Sequence, residues 1–312
     1  MMVQKLRDAG ATEVIQHGAN WSEADTYLRE TFIDGIPEEH VDSNAEKMAK
    51  GKATNTTLTG RVYRSEAPDV ALAGGTNGSV KNIYVPPFEH PKIWEGNATL
   101  VEELARQLPT RDGNSRNQHY MRAVAPFPAD IIICSIGGGG LFNGVIAGLD
   151  RHLNSDEKNT NTNISGRRQD VHVIAAETDG ADSLAHSLRQ GSLQSLSAIT
   201  SLATHLGALK VSPQAFANAL SPPPGIKVTS LVAKDSEAAR GVVRLADETR
   251  LLVELACGVS VDIGLNKSAL KGLGVDINPD TRVVVIVCGG SDVTPEMLCE
   301  YRQRLKDGWT EI

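Results

Sequence analysis

The chain is 312 residues long, 40% hydrophobic and 22% charged, with a net charge of −7. That length accommodates two domains and a sizeable core, and an acidic balance without a basic stripe argues against a nucleic-acid partner. No apolar stretch is long enough to span a membrane, and the polar, helix-like N-terminus does not read as a secretory leader. The four cysteines, Cys134, Cys257, Cys288 and Cys299, form no C-x-x-C pair, so a reduced cytoplasmic setting is expected rather than a disulfide framework.

Apolar strand-like runs alternate with helical patterns along the chain. This predicts an α/β fold, an open and mostly parallel sheet flanked by helices, with an incomplete second, smaller domain. Glu13–Gln16 reads as a strand, followed by a helix over Ser22–Phe32 with Ser22 as its N-cap and Glu23 and Asp25 in its first turn. Residues 49–81, rich in Gly, Thr, Asn and Ser, read as a polar insertion. A strand over Asn82–Val85 and a helix over Ala98–Leu108 come next, then a loop over 109–120. Ile131–Ile133 is a buried strand leading to a helix over Phe142–His152, and residues 154–170 form a third loop. Strands follow at Val171–Ala176 and, shorter, at Ile226–Val228. A helix over Asp235–Thr249, a strand over Val283–Val287 and a helix over Pro295–Lys306 complete the reading. The first strand has no earlier strand to pair with, so the chain reads as opening in mid-domain. The expected boundary lies at 86/87, with residues 1–86 as the remnant of the smaller domain and 87–312 as the larger one.

Four segments concentrate chemistry. Ser135-Ile136-Gly137-Gly138-Gly139-Gly140-Leu141 joins a strand to a helix and leaves backbone N–H groups bare at a helix N-terminus, a cup for an anion such as phosphate. Gly-Lys-[Ser/Thr] does not follow, which excludes a P-loop, and the G-x-G-x-x-G spacing fails. Glu177, ending the next strand, keeps a dinucleotide reading open. The bland alternative is that the glycines serve only close packing; four in a row exceed what packing usually demands. Cys288-Gly289-Gly290-Ser291 ends a strand, where α/β sheets bind ligands, although a buried Cys is often only a core residue. Ala175-Ala176-Glu177-Thr178-Asp179-Gly180-Ala181-Asp182-Ser183 offers a carboxylate, carbonyls and a hydroxyl to a hard cation, or simply a helix cap. His90, within Pro86–Thr99, is a candidate base, against a structural role beside Pro91.

Taken together and in order, Tyr84-Val85-Pro86-Pro87-Phe88, Ile93-Trp94-Glu95-Gly96, Ser135–Leu141, Ala176-Glu177-Thr178, Ala256-Cys257-Gly258 and Val285–Ser291 resemble the L-serine dehydratase (L-serine ammonia-lyase) family. That family is pyridoxal-phosphate dependent, of the tryptophan-synthase-β-like fold type II. The resemblance covers almost the whole chain, interrupted at residues 49–81. It implies that Gly137, Gly138, Gly139, Gly140 and Leu141 hold the cofactor phosphate and that Cys288 faces the pyridine nitrogen as a neutral thiol. Such a thiol leaves the ring less electron-poor, which suits elimination over transamination. It places His205 near the ring, where a small residue is usual. It assigns a potassium-like monovalent cation to Glu177, Ala181, Ser183, Leu206 and Ala208. The implied reaction removes water from serine or threonine and yields a 2-oxo acid and ammonia. A homodimer in the cytoplasm is implied as well, with no membrane partner.

The sequence departs from the family pattern in ways that bear on activity. No S-x-K-x-R-G segment, the site of the family's Schiff-base lysine, occurs in the chain, and neither does the S-x-G-N-x-G loop that grips the substrate carboxylate. The expectation is an N-terminally truncated relative, short of about a hundred residues and catalytically incompetent as written, with a truncated gene model as the first explanation. A non-enzymatic regulatory paralogue is the alternative, and a dinucleotide-binding protein a weaker one. Leu255 before Ala256-Cys257-Gly258 and Asn97 after Gly96 are further departures.

Overall fold

Two helices open the chain, α1 (Met2–Asp8) and α2 (Trp21–Phe32), and neither buries a residue. Their order rests on local hydrogen bonding. Asn20 Oδ1 accepts the Glu23 N–H at 3.1 Å, and the Glu23 carboxylate accepts from Ala19 N–H at 2.8 Å and Asn20 Nδ2 at 2.7 Å. This reciprocal cap begins the helix before Ser22, the expected N-cap, because Asn20 already satisfies the third helical N–H. Asp25 and Arg29, one turn apart, pair at 2.8 Å; both hold the Tyr84 hydroxyl, and the guanidinium covers the Tyr84 ring at 4.3 Å. Glu13–Gln16 and the described part of the second expected strand, Ile83–Val85, belong to no sheet among the described residues. Ile15, Ile83 and Val85 are exposed, so neither segment has a buried face to fix a strand register.

The computed structural model describes residues 2–33, 83–109, 127–154, 170–272 and 277–310. The polar stretch 49–81 and nearly all of the loops at 109–120 and 154–170 lie outside them. The chain divides into two compact units, Met2–Pro86 and Pro87–Ile312. In the second, α3 (Pro91–Gln107) begins seven residues before the expected Ala98, with Pro91 at its first position and His90 Nδ1 accepting the Lys92 N–H at 3.1 Å. β1 (Ile131–Ser135) leads into α4 (Gly140–Asn154), and β2 (Val171–Thr178) into α5 (Ser183–Gln190). α6 (Pro213–Leu220), β3 (Ile226–Ala233), α7 (Asp235–Thr249) and α8 (Leu255–Leu265) follow. The short α9 (Lys267–Gly272), β4 (Val283–Val285) and α10 (Pro295–Lys306) end the unit.

The four strands form one parallel sheet in the order β3–β2–β1–β4. β1 is fully buried, and its side chains alternate between two cores. Ile132 and Cys134 join Val145, Ile146 and Phe216 on one face. Ile131 and Ile133 join Val242, Val259 and Ile263 on the other. α8 is buried from Leu255 to Ile263; apolar on all sides, it carries no amphipathic stripe and leaves no periodicity to read. No helix among the described residues is long and apolar enough to cross a membrane.

Candidate active site

The strand order creates the site. The chain leaves β1 toward β2 on one side, while β4 pairs with the other side of β1. A crevice therefore opens beyond the carboxyl ends of β1 and β4, the position at which open α/β sheets bind ligands. The register sets Val285 opposite Ile133, so Cys288 emerges just past the end of β1 beside Ser135. A cavity of about 380 Å³ lies here, lined by the Ser135–Leu141 loop, Phe88, His205, Glu254, Cys257 and Cys288.

The glycine loop has two properties at once. Among the described residues the N–H groups of Gly137, Gly138, Gly139, Gly140 and Leu141 make no hydrogen bond, and they sit at the N-terminus of α4, where the helix dipole favours an anion. Each glycine also abuts another segment. A Cβ on Gly137 would stand 3.1 Å from Leu206 Cα, one on Gly140 2.9 Å from Phe88 Cα, and one on Gly138 would strike the Phe88 ring. Gly139, at φ +100°, would place a Cβ 2.6 Å from that of Ala215. Close packing therefore bears on this loop as well as anion binding, most severely at Gly139 and Gly140.

A buried polar network beneath the loop escaped the sequence reading. Asn143 Nδ2 donates to Ser212 Oγ at 3.0 Å, Asn218 Nδ2 donates to Asn143 Oδ1 at 3.0 Å, and Ser212 N–H donates to the Gly138 carbonyl at 3.0 Å. Ser212 Oγ also caps α6 through the Ala215 N–H at 3.1 Å and hydrogen-bonds Glu89. Burial pushes the Glu89 carboxyl up to about 7, against that bond, and Glu89 Oε2 is buried without a hydrogen-bond partner. The signal in sequence was only four ordinary polar residues, Glu89, Asn143, Ser212 and Asn218, spread over three separate segments. His90, the candidate base, caps α3 instead, and Trp94 Nε1 donates to the Phe88 carbonyl at 2.7 Å, fixing the segment that carries the ring over the loop.

On the opposite wall Cys288 is exposed and Cys257 is buried. Cys288 N–H reaches Cys257 Sγ at 3.4 Å, and Ser135 Oγ lies 3.5 Å from Cys288 Sγ. Hydrogen bonding from the Cys257 thiol, helped by Ser135, holds Cys288 below the ordinary thiol range despite partial desolvation. The same contact, with burial, pushes Cys257 up. His205 closes the mouth, with Nδ1 2.9 Å from Glu254 Oε2 and Nε2 3.5 Å from Asp292 Oδ2. Glu254 Oε1 accepts the Asp292 N–H at 2.9 Å, so Glu254 ties the two loops together.

The residues read as cation ligands lie at the C-terminal end of β2 (Glu177), in the turn into α5 and its first residue (Ala181, Ser183), and at the 3-10 turn Thr204–Leu206 and just after it (Leu206, Ala208). Glu177 is wholly buried and accepts from Leu184 N–H at 2.8 Å, Ala185 N–H at 2.9 Å and Ser230 Oγ at 3.2 Å. Burial pushes its carboxyl up to about 7 against those bonds. Ser183 is wholly buried and its hydroxyl has no partner. Ala181 N–H donates to the Thr178 carbonyl at 2.9 Å, and the Leu206 carbonyl accepts from Ala208 N–H at 2.8 Å.

A family model described as pyridoxal-phosphate dependent enzyme matches residues 1–289. An L-serine dehydratase of Saccharomyces cerevisiae (strain RM11-1a) is 32% identical over 305 residues, 97% of this chain and 70% of that protein. The chain belongs to the L-serine dehydratase branch of the pyridoxal-phosphate-dependent enzymes. A catabolic L-serine/threonine dehydratase of Saccharomyces cerevisiae (strain ATCC 204508 / S288c) is 28% identical over the whole chain and 68% of its own length. The crystal structure of a fungal L-serine ammonia-lyase from Rhizomucor miehei superposes with a TM-score of 0.65 at 27% identity, over 97% of this chain and 70% of that one. The parallel sheet flanked by helices is the architecture of this family.

Proposed function

We propose that the crevice between β1 and β4 is a pyridoxal 5′-phosphate site of the kind that serves the elimination of water from L-serine or L-threonine, giving pyruvate or 2-oxobutanoate and ammonia, and that the residues described here hold the cofactor without completing that reaction. One observation carries this reading: the bare N–H groups of Gly137–Leu141 line the same cavity as Cys288. The loop would take the phosphate and Cys288 the ring nitrogen, with His205 at the mouth. Bound there, the cofactor supplies the electron sink for the reaction. Ser135 contacts the Cys288 sulfur, the Cys288 N–H holds the Cys257 sulfur beside it, Asn143 and Ser212 fix the loop, and Glu254 positions His205. The names of the yeast relatives support serine and threonine as substrates.

The 312 residues contain no S-x-K-x-R-G segment. The residues described here bind and orient, and we assign no proton-transferring lysine among them; turnover by these residues alone is not expected. A potassium ion at Glu177, Ala181, Ser183, Leu206 and Ala208 belongs to the same proposal, supported by the buried, partnerless Ser183 hydroxyl and the buried Glu177. Four free cysteines are consistent with a reduced cytoplasmic setting, and resemblance to the family suggests a homodimer.

The test is a titration of the purified chain with pyridoxal phosphate, read by fluorescence, beside a coupled assay for 2-oxo acids from serine and threonine. Saturable binding without product is expected. Absence of binding overturns the cofactor assignment, and sustained product overturns the assignment of incompetence.

A further inference from the structure

Cys257 and Cys288 come from different elements, the first turn of α8 and the segment after β4, yet meet in one wall of the cavity. The Cys288 N–H donates to Cys257 Sγ at 3.4 Å, and Ser135 Oγ stands 3.5 Å from Cys288 Sγ. Cys288 is exposed while Cys257 is 1% exposed. We propose that this pair is a peroxide-sensitive dithiol, in which Cys288 is oxidised first and Cys257 then closes a disulfide across the cofactor site.

The order follows from the surroundings. Cys288 is the exposed member and Cys257 the buried one; the nucleophile toward a peroxide is a thiolate, which the neighbouring Cys257 and Ser135 favour at Cys288 against desolvation and nearby Glu254. The Cys288 sulfur attacks one peroxide oxygen, the O–O bond breaks and hydroxide leaves, giving a sulfenic acid; sulfur is oxidised by two electrons and peroxide reduced by two. Cys257 Sγ then attacks the Cys288 sulfur. The S–O bond breaks, the S–S bond forms, and the Cys257 proton leaves with the hydroxyl as water. The sum is two thiols and hydrogen peroxide giving one disulfide and two waters. Cys134 takes no part: it is wholly buried, and burial pushes its thiol up to about 12. Closure withdraws the Cys288 sulfur from the ring-nitrogen position, a consequence that rests on the proposed function. The bond itself does not.

The experiment exposes the purified full chain to limiting hydrogen peroxide, alkylates the remaining thiols and maps peptides without reduction. The expected product is a Cys257–Cys288 cross-link, reversed by dithiothreitol, with Cys288 consumed roughly tenfold faster than the exposed Cys299 on α10. In Cys257→Ser the reaction is expected to stop at a dimedone-reactive sulfenic acid on Cys288. Wild-type protein that accumulates sulfenic or sulfinic acid at Cys288 without the cross-link overturns the proposal, as does equal consumption of Cys299. Should Cys257→Ser fail to fold by circular dichroism, the wild-type map alone decides. If the reduced chain does not bind pyridoxal phosphate, the cofactor reading fails while a mapped cross-link still stands.

Discussion

Gly139 combines a left-handed backbone with a steric limit, since its φ is +100° and a Cβ there would stand 2.6 Å from Ala215. Gly139→Ala is therefore expected to cost about 1–3 kcal/mol of stability, measured by urea unfolding, and to weaken pyridoxal phosphate binding by roughly tenfold or more as the loop's N–H groups are turned aside. Asn143 lies below the loop and shares Ser212 with Glu89, which makes it a second point of failure. Asn143→Ala leaves Ser212 and Asn218 short of a partner and is expected to lower stability by about 1–3 kcal/mol, seen as a drop in melting temperature. The glycine run and Cys288 were legible in the sequence because they are short, local signals at strand ends. Asn143, Ser212 and Glu89 were not: their bonds join positions far apart in the chain, and polar residues of these types occur everywhere on surfaces.

β2 carries two buried titratable groups of opposite sense. Glu177 rises from 4.5 to about 7 through burial. Because its folded pKa lies above the unfolded one, its favourable contribution is complete below about 4.5 and is lost as pH rises through about 7. His172 falls from 6.5 to about 4, also by burial, so its contribution is present above 6.5 and lost as pH falls through about 4. Glu177→Gln is expected to flatten the loss of thermal stability between pH 5 and 8. It should also abolish any stabilisation of wild-type protein by potassium over choline chloride at pH 8. A potassium response that survives Glu177→Gln would contradict the ligand role given to Glu177. α7 and α8 meet through Gly241 and Gly258, each of which would drive a Cβ into the other helix. Gly258→Ala is expected to cost about 1–3 kcal/mol by overpacking, measured by urea unfolding. Gly258 was read only as part of a family motif; that it admits a neighbouring helix became visible once α7 and α8 were paired. α7 and α10 were readable to their ends because their apolar stripes and first-turn acids are plain, whereas α8 was missed for want of a polar face.

The whole arrangement follows from one topological fact, that β4 pairs with β1 rather than extending the sheet beyond β3. That choice brings residues 135–141 and 288 together, although they lie some 150 residues apart in the chain. Alternating strands and helices announced a parallel sheet. The strand order was beyond sequence reasoning, because each buried strand is equally apolar on both faces and so is compatible with several neighbours. The central claim is that this crevice recognises pyridoxal phosphate through its phosphate at the glycine loop. The direct measurement is a thermal-shift comparison of the purified chain with pyridoxal phosphate, pyridoxal and NAD. Pyridoxal phosphate is expected to raise the melting temperature, with little change from pyridoxal or NAD. An equal rise with pyridoxal, or a rise with NAD alone, would contradict the account.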